Sequence, residues 1–454
     1  MREDVADTLR LAWPLALTQL GQVAMMTTDL VLLGRLGDQM VAAAALANTI
    51  LFAAFTIGMG LVSAVAPLAS QAFGAREPRM VRRALRVGLW AVLIMGLPLT
   101  LVQLLGDRML VLLGQSPETA ALAGRYLAGL CWSLMPAWGF MALRNFMSSV
   151  NRPEPALWIT LLAIPANGVL AYVLIHGGLG LPAMDLFGAG LASSVVSAAT
   201  FIAATIVCCT RAPFRKYRIL GRFWRPDWVL MRQLIAVGAP ISGAFMLEFG
   251  AFATAALLMG RLGTTALAAH QITLQTASIL WMVPFGISLA ATVRVGHAVG
   301  GRNIDAARRA GFAALVLGAV FMAVMTLIVA LTRHWIPVAF LGASAAAAAD
   351  TVALAAFLLA LSTSFFIADG LQTIAAGALR GLNDTRVPLF FAAFAFWPIG
   401  MFAGFELAFD AGFGAAGVWI GLSIGLIVQA VLLVGRFHIL TQRGVLPEAP
   451  HARN

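Results

Sequence analysis

Residues 262–293 read LGTTALAAHQITLQTASILWMVPFGISLAATV, 32 consecutive positions without Asp, Glu, Lys or Arg. A helix needs about 20 largely apolar residues to cross the hydrocarbon core of a bilayer, so this stretch predicts a transmembrane helix. Uncharged runs of roughly that size recur at 11–28, 39–75, 87–106, 126–143, 156–184, 186–210, 233–247, 310–332, 351–368, 387–405 and 411–435. We therefore expect an all-α integral membrane protein with twelve transmembrane helices.

The composition supports this prediction and sets the orientation. Of the 454 residues, 61% are hydrophobic and 11% are charged, against about 25% charged in soluble domains. If both termini are cytoplasmic, the outer segments hold only five of the 30 Lys and Arg, and the positive-inside rule favours that orientation. We expect no nucleic-acid binding, because these charges lie on short loops and not on one folded basic surface. The five outer residues are Arg35, Arg108, Arg125, Arg261 and Arg333.

The chain is an internal repeat, whose halves align at an offset of 226 residues. Six helices per half give both halves the same polarity, and in transporters such repeats hold the substrate between two lobes. The matched segments are Pro14 with Pro240, Gly34-Arg35-Leu36-Gly37 with Gly260-Arg261-Leu262-Gly263, and Gly74-Ala75-Arg76 with Gly300-Gly301-Arg302. We expect two pseudo-symmetric six-helix bundles, with an N-terminal lobe at 1–210, a cytoplasmic basic linker at 211–232, a C-terminal lobe at 233–440 and a cytoplasmic tail at 441–454.

The runs at 11–28, 233–247 and 351–368 each extend past a single acid, Asp29, Glu248 and Asp369 in turn, so three acids fall within predicted spans. A carboxylate at the centre of a membrane helix costs at least ~2.5 kcal/mol. Such a group therefore either stays protonated or binds a cation, which is what a transporter coupled to protons or Na⁺ requires. Pro14 and Pro240 precede two of these acids at matched places in the repeat, and we interpret them as candidate hinges.

Polar, aromatic and methionine side chains accompany the acids at helical spacing. Carboxylates, aromatic rings and methionines that line a cavity suit flat organic cations, through cation–π attraction and adaptable packing. The candidate lining residues from this pattern are Gln22, Met26, Phe252, Gln271, Gln275, Met282 and Phe365.

Several classes of function lack their sequence signals. No Gly-x-x-x-x-Gly-Lys-Ser/Thr loop is present, so ATP hydrolysis is not expected. No cluster of His, Cys and carboxylate residues has metal-ligand spacing, and no nucleophile–base pair is evident. We therefore expect a protein that is not an enzyme and has no cofactor or resident metal.

Taken together in order, these segments resemble the multidrug and toxic compound extrusion (MATE) transporters, in their NorM-like branch. The first half carries Trp13-Pro14, Asp29, Gly34–Gly37 and Ala42–Ala44. The second half carries Glu248, Gly260–Gly263, Leu267–Gln271, the span-10 motif Asp369-x-x-Gln372 and Gly377–Arg386. The resemblance covers nearly the whole chain.

The resemblance implies two six-helix bundles around a V-shaped cavity, and export of cationic drugs in exchange for inward Na⁺ or H⁺. It assigns cation coupling to Glu248 and Asp369, proton or substrate handling to Asp29 and Asn167, and a place in the cavity to Gln372. The expected setting is the lipid bilayer of a bacterial inner membrane, with a monomer sufficient for transport and antibiotic resistance as the consequence.

The main alternative is a related flippase for a lipid-linked oligosaccharide. Its anionic pyrophosphate would need arginines in the cavity, whereas the mid-span charges here are acidic. A major facilitator transporter would normally show a Gly-x-x-x-Asp-Arg-x-Gly-Arg-Arg type of loop after span 2, and this chain reads Gly74-Ala75-Arg76-Glu77-Pro78-Arg79 there. A channel is disfavoured, because a pseudo-symmetric chain with proline-containing helices suits alternating access.

Overall fold

The computed structural model of the protein describes residues 2–34, 36–112, 114–177, 182–221, 223–342, 345–346 and 348–444. Arg35 and Arg222, and the predicted tail from residue 445 onward, lie outside the described residues. All regular elements in the described ranges are helical. In the first half, the helices are α1 (Arg2–Gly34), α2 (Asp38–Ser63), α3 (Val65–Gly74), α4 (Pro78–Leu104), α5 (Gly106–Leu112), α6 (Pro117–Leu130), α7 (Leu134–Ser149), α8 (Glu154–His176) and α9 (Asp185–Thr210).

The second half follows a similar order. Short 3₁₀ turns lie at Cys131–Ser133 and Phe214–Tyr217. Two π-helical turns, at Ala395–Met401 and Glu406–Asp410, flank the short helix α17 (Phe402–Phe405). The helices are α10 (Trp228–Leu262), α11 (Thr264–Gly300), α12 (Ile304–Thr332), α13 (Trp335–Leu341), α14 (Ala349–Leu361), α15 (Thr363–Gly381), α16 (Arg386–Phe394), α17 (Phe402–Phe405) and α18 (Ala415–Gln442).

The repeat is visible in the backbone. Gly37 and Gly263, which match at the offset of 226, have φ angles of 110° and 125°, and each opens the turn into α2 or α11. L-residues with a Cβ rarely adopt such angles, which explains glycine at both places. Arg76 and Arg302 also match, and both are left-handed, with φ of 61° and 55°.

The prediction of an all-helical membrane protein is confirmed. Eleven helices in the described residues are long and apolar enough to cross a membrane, and the number is twelve when the bent pair α14–α15 is counted as one span. The sequence predicted one continuous run at 351–368, but the two helices meet at an angle of 52°. The Ser362 hydroxyl at this break donates to the Leu358 carbonyl at 2.6 Å, a bond that competes with regular helix pairing and bends helices.

The chain folds into two compact units. The N-terminal unit is Leu17–Ser242, and the C-terminal unit is Met1–Ala16 with Gly243–Asn454. These limits differ from the predicted lobes, because the first part of α1 belongs to the C-terminal unit and the first part of α10 to the N-terminal unit. Both divisions fall two residues after a matched proline, Pro14 or Pro240, each inside a long helix.

Each unit has its own apolar core. In the C-terminal unit, Phe365, Phe366 and Trp419 are buried among aliphatic side chains of α10, α11, α14 and α18. In the N-terminal unit, Leu127 and Ala192 lie in a core that joins α2, α6, α8 and α9. These cores fix the rotation of the helices that carry the intramembrane acids.

Candidate functional site

One amide joins the two predicted intramembrane acids of the C-terminal unit. Glu248 lies on α10, and Asp369 and Gln372 lie one turn apart on α15. Gln372 Nε2 donates to Glu248 Oε1 at 3.3 Å and to Asp369 Oδ1 at 3.2 Å. The structure therefore brings together the predicted cation-coupling pair, and Gln372 is the residue that bridges it.

The Gln372 amide has fewer donor hydrogens than the number of oxygens that surround it. Gln372 Nε2 also contacts Thr373 Oγ1 at 3.2 Å, so three oxygens share an amide group that carries only two hydrogens. Thr373 Oγ1 receives a second donor, Trp281 Nε1 of α11, at 2.8 Å. The two carboxylates are thus held in place with hydrogen-bonding capacity to spare, which a proton or a small cation can use.

An arginine and a row of aromatic rings lie beside this pair. The Arg380 guanidinium lies 5.0 Å from the centre of the Phe245 ring, close enough for a cation–π interaction, and its charge acts on Glu248. Phe245 in turn contacts Phe285 edge-on, and Phe285 stacks on Trp281 with centroids 4.6 Å apart. Two carboxylates and one guanidinium leave one formal negative charge when the acids are ionised.

The intramembrane acid of the N-terminal unit, Asp29, has a different environment. Asn167 Nδ2 of α8 donates to Asp29 Oδ1 at 2.6 Å, and the Ser193 hydroxyl of α9 donates to Asp29 Oδ2 at 3.1 Å. Asn167 is 0% exposed. The structure thus brings Asn167 and Asp29, both named by the resemblance, into contact and adds Ser193, so that both carboxylate oxygens have a donor.

The predicted lining residues divide by exposure. Gln22, Gln271 and Gln275 are exposed, and Met26 is 65% exposed. Met282 and Phe252 are partly buried. Phe365, in contrast, is 0% exposed and packs edge-on against Trp419, with centroids 5.1 Å apart, so it lies in the core of its unit instead of on open space. Its apolar ring is buried because α15 turns that face toward α18.

Sequence reasoning missed several contacts between helices. Ser193 and Thr373 were not singled out, although each is a hydroxyl within an apolar segment, which was the available signal. Arg144 of α7 is 2% exposed, and its Nη1 donates to Gln19 Oε1 at 2.6 Å. No group of three or more His, Cys, Asp or Glu in the described ranges is placed to hold a metal.

Comparison with known proteins identifies the family. The MatE family model matches residues 14–173 and 240–405, which cover both halves of the repeat. The chain belongs to the MatE family. The prediction made from the paired carboxylates and the Gly-Arg-Leu-Gly repeats is therefore confirmed.

Similar MatE proteins place the chain in the NorM-like branch. A "Probable multidrug resistance protein NorM" of Rhodopseudomonas palustris is 64% identical over 97% of this chain and 93% of its own length. A protein of the same name from Bradyrhizobium diazoefficiens is 56% identical, over 98% and 95%. A solved structure described as "Crystal structure of MATE in complex with MaL6" has a TM-score of 0.89 over 97% of both chains. At 18% identity, it supports the MATE fold alone.

Proposed function

We propose that this MatE protein is a secondary antiporter that exports cationic, aromatic drugs in exchange for inward Na⁺ or H⁺. The observation that carries the proposal is the Glu248–Gln372–Asp369 bridge, two intramembrane carboxylates that share one amide donor. The names of its similar relatives, which are multidrug resistance proteins, support export of drugs as the direction and the cargo.

The proposed cycle follows from charge. When no ion is bound, the Glu248–Asp369 pair is negative and attracts a cationic drug from the cytoplasm. Na⁺ or H⁺ that enters from outside neutralises the pair and weakens drug binding, so the drug leaves to the outside. Since both ligands compete for the same carboxylates, their coupling free energy falls in the ordinary range of linked sites, about 1–3 kcal/mol.

Asp29 and Asn167 handle a proton or the substrate in the N-terminal unit, and Gln22, Met26, Phe252, Gln271, Gln275 and Met282 contribute to the drug path. Pro14 and Pro240 serve as hinges for alternating access, a role that fits the division of α1 and α10 between the two units two residues later. The protein works as a monomer in the bacterial inner membrane with both termini in the cytoplasm. It is a transporter, not an enzyme, and requires no cofactor.

The test is ethidium efflux from cells that express the chain, with and without Na⁺ at fixed pH. We expect efflux that depends on Na⁺, or efflux that is independent of Na⁺ and stopped by a protonophore. Glu248→Gln and Asp369→Asn should each abolish gradient-driven efflux while the protein stays in the membrane. Normal efflux by either variant would contradict the assignment. No efflux from correctly inserted wild-type protein would favour the lipid-linked oligosaccharide flippase.

A further inference from the structure

A basic cavity lies in the segment between α9 and α10. We call it the linker pocket. It has a volume of about 710 Å³, and its lining includes Cys209, Pro213, Arg215, Lys216, Arg218 and Ile219. Three cationic side chains therefore face one cavity, whose size lies in the range of small-ligand sites.

The linker pocket has a fixed frame. Phe214 and Tyr217 are buried, and their rings pack against Phe146 of α7 with centroids 6.0 and 5.5 Å apart. Further along, Trp90 Nε1 of α4 donates to the Phe223 carbonyl at 2.8 Å. Because these contacts hold the backbone on both sides, the cations are presented by a folded turn and lose little conformational entropy when a ligand binds.

The positive charge of the linker pocket is not neutralised within the part of the chain that the structure describes. Arg215, Lys216 and Arg218 are exposed and form no ion pair with a described carboxylate. Asp227, the acid of this segment, is engaged elsewhere: its Oδ2 lies 2.7 Å from Arg83 Nε and 3.9 Å from Arg86 Nη2.

A fourth cation lies at the edge of the linker pocket. Arg82 Nη1 of α4 lies 3.6 Å from the position that a Cβ would take on Gly221, which lines the cavity. Arg82 Nε is buried and has no hydrogen-bond partner among the described residues. The pocket therefore offers several N–H donors and a high positive charge, which are the features that bind phosphate groups.

The position of the linker pocket favours a lipid as the source of that phosphate. Cys209, which lines it, lies in the last turn of the membrane-spanning helix α9, so the cavity begins where that helix leaves the bilayer. Nearby, Trp224 and Trp228 are 73% and 60% exposed, and tryptophan is enriched at the membrane–water interface. Basic residues directly beside membrane spans also attract anionic headgroups.

We propose that the linker pocket binds the phosphate headgroup of an anionic glycerophospholipid. Arg215, Lys216 and Arg218 contact the phosphate, Arg82 adds charge from α4, and Pro213 packs against the glycerol end of the lipid. The site is separate from the drug and ion site, and it does not depend on the proposed transport function.

The test is lipid binding to the purified full-length protein, measured by native mass spectrometry. Phosphatidylglycerol is titrated beside phosphatidylcholine, and inorganic phosphate is added as a competitor. The test variant is R215Q/K216Q/R218Q, and the control is R76Q/R79Q/R302Q, which removes the same charge from exposed arginines outside the pocket. Thermal unfolding verifies the fold, and the single variant R215Q provides a milder change should the triple variant unfold.

We expect the tightest phosphatidylglycerol molecule to bind the test variant at least about tenfold more weakly, whereas the control changes its affinity by less than about threefold. R215Q should give an intermediate loss. Equal losses in the test and control variants would overturn the proposal, because they would show attraction by net charge alone. Equal binding of phosphatidylcholine, or displacement of the lipid by millimolar inorganic phosphate, would overturn the lipid as the ligand.

Discussion

The acids of the two units differ in how their oxygens are satisfied. In the N-terminal unit, Asp29 receives one donor on each carboxylate oxygen, from Asn167 at 2.6 Å and Ser193 at 3.1 Å. In the C-terminal unit, Glu248 and Asp369 share the single amide nitrogen of Gln372, at 3.3 and 3.2 Å. Both carboxylate oxygens of Asp29 therefore accept a hydrogen bond within the N-terminal unit, whereas the Glu248–Asp369 pair has unused acceptor capacity for an ion.

This asymmetry arises inside a repeat whose backbone is closely matched. At the offset of 226, Glu248 corresponds to Gln22, and Asp29 corresponds to Ala255. The two halves therefore share the glycine turns at Gly37 and Gly263, but their intramembrane acids lie at positions of α1 and α10 that do not correspond in the repeat. We therefore propose that coupling to an ion is concentrated in the C-terminal unit.

The largest expected effect comes from removing charge in one unit and then in the other. Asp369→Asn should remove the response of ethidium efflux to the ion gradient, because one member of the paired site no longer carries charge. The factor by which the ion changes the affinity for the drug, about 5–150-fold for linked sites, should be lost. Asp29→Asn should lower efflux but leave a dependence on Na⁺ or H⁺, because the Glu248–Asp369 pair stays intact. Efflux by Asp29→Asn that no longer responds to either ion would remove the proposed asymmetry.

The bridge can be broken without changing charge. Gln372→Leu leaves two carboxylates without their shared donor, so we expect a loss of about 1–3 kcal/mol in the free energy of unfolding. Added Na⁺ or acid should restore part of that loss, because the ion replaces the missing donor. The measurement is thermal unfolding in detergent, with Gln275→Leu, an exposed glutamine on α11, as the matched control. An unfolding curve of Gln372→Leu that does not respond to Na⁺ or pH would argue against an ion at this bridge.

The donors to Asp29 should act on stability more than on ion dependence. We expect Asn167→Ala to cost about 1–3 kcal/mol, because a buried acceptor loses its donor, and Ser193→Ala about 0.5–1.5 kcal/mol. Ser278→Ala is the control, since that hydroxyl donates only to the Leu274 carbonyl of its own helix. Thermal unfolding again reports the effect, and a larger loss from Ser278→Ala than from Asn167→Ala would contradict the account.

The smallest expected effect concerns ion pairs that the repeat places in both units. Arg83 and Arg309 match at the offset of 226; Arg83 Nε lies 2.7 Å from Asp227, and Arg309 Nε lies 3.9 Å from Asp4. Burial acts to raise the pKa of Asp227, but the hydrogen bond from Arg83 and the charges of Arg83 and Arg86 hold that pKa below its ordinary value.

A lowered pKa gives stability that is present above the ordinary value and is lost as pH falls. We expect Asp227→Asn to cost about 0.5–1 kcal/mol at neutral pH, because the pair is partly open to solvent. The difference from wild type should vanish as pH falls below about 4, through the lowered pKa of Asp227. Thermal unfolding as a function of pH measures it, with Asp305→Asn at an exposed acid as the control. A difference that persists unchanged at pH 2 would show that the charge of Asp227 is not its cause.

The sequence could predict the features that depend on a single helix and not on its neighbours. Continuous apolar runs identify spans because each must satisfy its own backbone in lipid, and an acid such as Glu248 is conspicuous there because charge is costly. The steps of three and seven residues between Gln19, Gln22 and Asp29 predict that the three lie on one face of a helix. The spacing could not show that Gln19 would pair with Arg144 while Gln22 stays exposed, because that depends on which helix packs alongside.

For the same reason, the sequence could not predict the helix break at Ser362 or the hydrogen-bond donors Ser193 and Trp281. Each depends on the rotation and tilt of a neighbouring helix, which close packing of small residues determines. For example, a Cβ on Gly377 of α15 would lie 2.3 Å from Ser288 Oγ of α11, so only glycine permits this approach. The position of Thr373 beside Trp281 follows from that packing, and no pattern within α15 alone predicts it.

Reciprocal binding measurements show whether drug and ion compete for the Glu248–Asp369 pair. The affinity of purified protein for ethidium is measured by fluorescence anisotropy at low and high Na⁺ and at two pH values, and ion affinity is measured with and without drug. We expect each ligand to weaken the affinity of the other by the same factor, about 5–150-fold, and we expect Glu248→Gln to reduce this factor to near one. Affinities for drug and ion that are independent in the wild-type protein would contradict competition at the Glu248–Asp369 pair.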